Sequence, residues 1–322
     1  MKLTIDFTED LMFKVLLLGT GEYQDKKILI DFVVSFAGFF GLKLKAEDII
    51  IPKTLPYVDC KKVLKVLKNK KLTPRQIEEQ LQKMIPDITV HIKREDGRLD
   101  EFTIEMQKRT PKFLLDRMCR QLATTITHTK NDPKDFSKTG YALNLWLLPK
   151  QQIPQYLDEP VVETLICTRV KKGNRYVYKP AYAHAKSVSI AINDKKLVQN
   201  SYYKKNDRLK LWINFLSTGE LNLEDEIQKS IYELYLMLKK DKEWYEMAKL
   251  QPTNADYLLA EGIEIGIEQG REIGREEGRE EGREEGILKV AKNALLKDIP
   301  VEVVASMTEL PLQVVEELKK TL

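Results

Sequence analysis

Between residues 86 and 107 apolar and polar positions alternate on either side of a short break. Ile88, Val90 and Ile92 alternate with Asp87, Thr89, His91 and Lys93, and Phe102, Ile104 and Met106 alternate with Glu101, Thr103, Glu105 and Gln107. A period of two predicts half-buried strands, and a glycine-containing break between two of them predicts a hairpin. The turn decides which side chains meet. A two-residue Asp96-Gly97 turn would pair Ile88 with Glu105 and set polar against apolar. A three-residue Glu95-Asp96-Gly97 loop, with glycine left-handed, pairs Ile88 with Ile104 and Asp87 with Glu105, so both faces match.

The same reading extends along the chain. Thr8 is placed to cap a helix whose first turn holds Glu9 and Asp10, where the helix dipole favours acids. Ile28 to Leu44 is the strongest apolar run; Asp31 and the small residues Ser35, Ala37 and Gly38 make it a buried helix rather than a membrane span. Asp48 to Pro56 reads as an edge strand or extended loop, with Pro52 and Pro56 limiting pairing. Cys60 to Met84 reads as two helices, the second starting at Thr73-Pro74. Phe113 to Thr129 predicts a helix. Tyr141 to Leu148, almost wholly apolar, predicts a central strand buried on both faces. Val161 to Val170 and Arg175 to Ala183, around Lys171-Lys172-Gly173-Asn174, predict strands that complete a mixed sheet. Arg208 to Leu216 and Leu223 to Lys249 read as helices, with Leu211, Trp212 and Phe215 as a core stripe.

From residue 261 the pattern changes. Gly262, Gly266, Gly270, Gly274, Gly278, Gly282 and Gly286 recur every fourth position, and the later spacers are mostly Arg-Glu-Glu. Arg and Glu favour helix, while each Gly costs about 1 kcal/mol relative to Ala. A period of four drifts around a 3.6-residue helix unless the helix is paired and wound right-handed. Two readings stand: a self-association helix, or a solvated charged spacer. Beyond it, Leu288–Leu296, Pro300–Met307 and Pro311–Leu318 are helix-sized pieces with prolines at two starts. Glu302, Glu309, Glu316 and Glu317 make the last two poor for a DNA groove, which favours packing or protein contact.

Composition narrows the class. A chain of 322 residues, 43% hydrophobic and 32% charged, can bury a substantial core as one larger domain with appendages. A net charge of +4 permits nucleic acid without demanding it, so a DNA surface must be local. Cys60, Cys119 and Cys167 show no metal or redox spacing and suit a reducing cytosol. His91, His128 and His184 are too few and scattered for a zinc site. Asp6, Glu9 and Asp10 precede any long apolar run, which does not suit a secretory signal. The expectation is a soluble, cytoplasmic protein with no membrane partner.

In the matched register Asp87 and Glu105 stand side by side, roughly 5 Å apart at Cβ. Two carboxylates at that spacing repel unless neutralised, and Mg²⁺, a hard cation with oxygen ligands, is their natural partner, with Mn²⁺ as the alternative. A solvated polar face is the plainer explanation of the same spacing.

Pro86-Asp87, a glycine-containing turn and then Ile104-Glu105-Met106-Gln107 resemble the core of the PD-(D/E)XK nuclease superfamily. Within it the chain is similar to the recombination-promoting nuclease, or transposase-associated nuclease, family, in which glutamine replaces the usual last lysine. Asp10-Leu11-Met12-Phe13-Lys14, Arg117 and the glycine tetrads extend the resemblance over most of the chain. It implies a restriction-endonuclease-like α/β fold and metal-dependent DNA endonuclease activity. Asp87 and Glu105 would bind metal, Gln107 would stand beside the attacking water, and Asp10 (Glu9 if the register slips by one) would add a carboxylate. Lys14, one turn after Asp10, either contacts phosphate or pairs with Asp10. Arg117 would contact phosphate or hold an acid. The family's tyrosines after this arginine are replaced by Arg120 and Gln121; Gln121 stays one turn from Arg117 and can serve the same face. Gln107 lacks a lysine's charge, so Lys14, Arg117 or the metal must stabilise the transition state.

The resulting expectation is a nuclease domain over 1–250 with a mixed sheet flanked by helices, a lysine-rich insertion over 45–85, a long charged helix over 251–286 and a small helical tail over 287–322. The insertion's lysines (Lys61, Lys62, Lys65, Lys68, Lys70, Lys71) either meet DNA phosphates or coat a helix packed through Val63, Leu64, Val66 and Leu67. DNA is the expected partner, and the 261–286 helix a route to a homo-oligomer. The rival is a non-catalytic DNA-binding or assembly protein of the same fold; RNA as substrate is a third reading.

Overall fold

The structure is a computed structural model that describes all residues except 21–23, 54, 56, 86, 108–113, 130–138, 149–158, 174, 181–183 and 251–253. Pro86 and Phe113 therefore lie outside the described residues. The chain divides into two units, Met1–Asn254 and Ala255–Leu322.

The first unit is built on a six-stranded mixed sheet: β1 (Ile49–Ile50), β2 (Ile88–Lys93), β3 (Leu99–Met106), β4 (Ala142–Leu148), β5 (Val161–Thr164) and, further along the chain, β8 (Ala185–Ala191), in the order β1-β2-β3-β4-β8-β5. The first two pairings are antiparallel, β3, β4 and β8 run parallel, and β5 closes the other edge antiparallel. The hairpin takes the three-residue register: Ile88 pairs with Ile104, Arg94 and Arg98 close the loop, and Gly97 turns at φ 84°.

All seven residues of β4 are buried, as a strand covered on both faces must be. Leu143, Leu145 and Leu147 join Ile88, Val90, Phe102 and Ile104 in the main core. Against that face pack α1 (Asp10–Leu18), α2 (Lys26–Phe36), α7 (Asp207–Thr218), which follows the short α6 (Ser201–Lys205), and α8 (Glu226–Lys240); Phe13, Phe32, Trp212 and Leu234 of α1, α2, α7 and α8 join the core. Asp31 is tolerated in the apolar run because its carboxylate accepts from Arg208 Nε and, at 2.7 Å, from Trp212 Nε1. The other face carries Trp146 and Leu148, which meet Leu114 and Met118 of α5 (Leu114–His128). Asp100, fully buried, accepts the Tyr141 N–H at 2.8 Å and the Arg94 guanidinium, tying the start of β4 to β3. Gly140 is required beside it, since a Cβ there would sit 1.8 Å from the Leu99 carbonyl oxygen.

In the insertion, α3 (Cys60–Leu67) buries Cys60, Val63, Leu64 and Val66, packs against α9 (Lys242–Lys249) and leaves Lys61, Lys62 and Lys65 exposed. The second helix, α4 (Pro74–Met84), opens with the Thr73/Gln76 capping box. Three details depart from the sequence expectation. Helix α8 ends at Lys240 and α9 begins at Lys242, because Asp241 turns extended and caps the second helix. Strand β8 supplies the fifth position of the sheet, between β4 and β5. And β6 (Cys167–Lys172) with β7 (Arg175–Pro180) forms a separate two-stranded sheet instead of extending the main one.

The second unit, from Ala255, holds all but the first residue of α10 (Asn254–Leu295), which contains all the glycine tetrads and is exposed over most of its described length. Ala291 and Leu295 pack with Val304 of α11 (Val301–Thr308) and Val315 of α12 (Leu312–Lys320) in a small core of their own. Among the described residues no helix is long and apolar enough to cross a membrane.

Candidate active site

The register that pairs Ile88 with Ile104 puts Asp87 beside Glu105 at the open end of the β2–β3 ladder. Helix α5 runs over this face with Leu114, Met118, Leu122 and Thr125 turned inward. That stripe leaves Gln121 on the flank nearer β2 and β3, and its Nε2 donates to Asp87 Oδ2 at 2.9 Å and to Glu105 Oε1 at 3.1 Å. One amide thus holds both carboxylates. The sequence places Gln121 one turn after Arg117 as a substrate-binding candidate; its amide hydrogen bonds run to the two acids.

Lys14 enters from α1. Its side chain is only 5% exposed, with Nζ 3.5 Å from Asp10 Oδ2 and 3.9 Å from Asp87 Oδ1, and it donates to the Ile85 carbonyl at 3.3 Å. Asp10, one turn earlier, is the acid that meets it, and the pairing of these two residues is the contact present. Burial works against the charged form of Lys14, but Asp10, Glu105 and Asp87 outweigh it and hold the ammonium above its ordinary range. Three carboxylates share this one cation.

The cluster is closed at one end and open at the other. Glu105 is 6% exposed, whereas the side chains of Asp87 and Asp10 are 43% and 52% exposed. Burial pushes the Glu105 carboxyl well above the usual carboxylate range; Asp87 beside it pushes the same way, and Lys14 only partly opposes them. Gln107 follows at the end of β3, half-buried, on Glu105's face by alternation; its backbone N–H donates to the Leu147 carbonyl at 3.0 Å. Arg117 lies half-buried one helical turn before Gln121. The structure therefore joins Asp10, Lys14, Asp87, Glu105 and Gln121 in one network, with Gln107 and Arg117 on its flanks.

The donor set suits a hard divalent cation. Asp87 and Glu105 offer carboxylate oxygens on adjacent strands, and Asp10 and Asp87 leave a solvent-facing side for entry. Mg²⁺ needs only one or two carboxylates because it keeps several waters. Among the described residues no group of three or more His, Cys, Asp or Glu side chains is placed to hold a metal ion, so a cation here would rest on Asp87 and Glu105.

The polar face continues beyond this site. Thr89 and Thr103 face each other with hydroxyls 3.3 Å apart, and the next cross-strand pair is His91 and Glu101. Glu101 is buried, with His128 Nδ1 of α5 3.6 Å from its Oε1. Burial pushes the Glu101 carboxyl up, and His128 pulls it part of the way back. Alternation marked Glu101 as polar-face, but only the docking of α5 reveals this partner.

No protein-family model, curated protein or solved structure matches this chain.

Proposed function

We propose that the chain is a metal-dependent DNA endonuclease with a restriction-endonuclease-like core, acting in recombination or transposition in the cytoplasm. The observation that carries this reading is the pair of carboxylates on adjacent strands, bridged by Gln121 and under-neutralised by Lys14. The motif resemblance at Asp10, Asp87, Glu105 and Gln107 points the same way.

In this reading Asp87 and Glu105 hold the metal, and Asp10 completes the carboxylate set. When bound, Mg²⁺ would stabilise charge on a phosphate oxygen and make water a better nucleophile. Gln107 orients the water by hydrogen bonding, with no charge of its own to contribute. Arg117 is the residue assigned to phosphate, because Lys14 is buried among the acids and serves to position them. Gln121 donates to both carboxylates and holds them side by side, and a metal bound there would take the place of those two hydrogen bonds. Hydrolysis then forms one P–O bond to water and breaks one P–O bond of the DNA backbone. The 261–286 helix, whose glycines have no neighbour within 4 Å of an added Cβ from Gly266 to Gly286, is the proposed homo-oligomer contact.

One observation favours the rival reading of a non-catalytic DNA-binding or assembly protein: Gln121 already satisfies both acids without a metal. Nicking of supercoiled plasmid separates the two. The endonuclease reading expects Mg²⁺-dependent cutting that EDTA stops. A purified protein that binds DNA yet never cuts it in Mg²⁺ or Mn²⁺ would give the rival first place.

A further inference from the structure

The β6–β7 hairpin stands apart from the main sheet, and its composition is unlike the rest of the chain. From Leu165 to Pro180 there are five basic residues and no acidic one. That local charge of +5 exceeds the +4 of the whole chain, so the rest of the molecule is slightly acidic. Both faces of the ribbon are exposed. Register assigns Arg169 and Lys171 to one face with Tyr178 and Tyr176 opposite them; Lys172, Arg175 and Lys179 share the other face with Val170 and Val177. Tyr176 and Tyr178 are 50% and 65% exposed, and the Arg169 guanidinium lies 3.6 Å from the centre of the Tyr176 ring. None of the five cations is paired with a carboxylate among the described residues. In the other lysine-rich stretch two of the six lysines are paired: Lys62 lies 3.3 Å from Asp59, and Lys68 lies 2.7 Å from Glu246.

We propose that this hairpin is a duplex-DNA docking ribbon, with Lys171, Lys172 and Arg175 contacting phosphates and Tyr176 and Tyr178 resting on sugar or base edges. The inference rests on the reading that DNA is the substrate, and it adds the surface that holds it. Charge complementarity chooses a polyanion, since among the described residues no carboxylate pairs with these cations. Shape chooses among polyanions. A two-stranded ribbon fits the roughly 12 Å wide major groove of B-DNA, whereas the A-form RNA groove is too deep and narrow. A bilayer would need an apolar band, but Val170 and Val177 share their face with three cations.

The test is fluorescence anisotropy of the full chain with a labelled DNA duplex in EDTA, at a series of salt concentrations. Wild type is compared with a Lys171→Gln/Lys172→Gln/Arg175→Gln variant and with a charge-conserving Lys171→Arg/Lys172→Arg/Arg175→Lys variant. The salt slope of log K should become shallower by about 2.7 in the first, at about 0.9 per lost phosphate contact, and stay near wild type in the second. An unchanged slope in the first variant overturns the proposal. So does an equal loss in the charge-conserving variant, which would report a fold defect. Equal competition by duplex RNA, or tighter binding to phosphatidylserine vesicles than to DNA, also overturns it. Because EDTA removes cutting from the readout, a protein that never cuts can still sustain the docking ribbon, and a cutting enzyme with an unchanged slope would lose only the ribbon.

Discussion

Glu101 and Glu105 stand four residues apart on the same face of β3, and α5 reaches down to both. Gln121 meets Glu105, and two turns later His128 meets Glu101, so helix and strand run in opposite directions. Both carboxyls are pushed up by burial. Their surroundings diverge from there. Glu101 has one partner of opposite character at the surface, His128, whose side chain is 64% exposed. Glu105 has a second acid beside it, an amide it shares with Asp87, and an ammonium shared three ways. The first is a closed pair. The second is a cluster in which, among the described contacts, three acids surround one buried ammonium, the place where the proposed divalent cation would sit.

The largest expected effect is on cutting. Glu105→Ala should lower plasmid nicking by about 10³-fold or more, on the scale of losing a group that stabilises transition-state charge, while Glu101→Ala leaves it within a few-fold. Equal losses in the two variants would erase the distinction between the two ends of the strand.

Next in size is stability. Lys14→Met removes the buried ammonium from among three carboxylates and should cost about 3–5 kcal/mol in urea unfolding, with part restored by Mg²⁺. His128→Ala removes a solvent-facing partner and should cost less than about 1 kcal/mol. A Lys14→Met variant as stable as His128→Ala would show that the acids around Lys14 are already protonated.

The smallest effect is the pH dependence of the metal-free protein. A carboxyl whose pKa is raised on folding holds its proton more tightly in the native state. Its stabilisation is fully present below the ordinary carboxylate range and is lost as pH rises through the raised value, at up to about 1.4 kcal/mol per pH unit for one proton. Wild type should therefore lose stability relative to Glu105→Gln as pH rises above the ordinary range. The same comparison with Glu101→Gln should give a shallower loss, because His128 opposes the shift. Identical curves for the two glutamines would count against the separate environments.

The hairpin register was legible because it depended on local facts: strict alternation, a Glu95-Asp96-Gly97 loop, and the mismatch any other register would cause. The Asp10–Lys14 pair was legible as neighbours one turn apart. The burial of Lys14 was not, since it depends on α1 packing against the β2–β3 end of the sheet. Gln121 stood out only by its place one turn after Arg117; its reach to two carboxylates depends on how α5 crosses the sheet. Strand β8 escaped notice because Lys186, Ser187 and Ser189 interrupt its apolar residues, and only its neighbours show that both faces are covered. The β6–β7 strands were visible as strands. Their separation from the main sheet follows from an exposed, basic surface on both faces that could not be buried beside β4.

The central claim is that Asp87 and Glu105 form a divalent-cation site. Isothermal titration calorimetry of Mg²⁺ into the wild-type protein, in two buffers of different ionisation enthalpy, tests it most directly. The prediction is one binding event that releases a proton, since Glu105 must ionise to ligate, and that is lost in Glu105→Gln but kept in Glu101→Gln. No Mg²⁺ binding to the wild type, or binding that Glu105→Gln leaves intact, would contradict it.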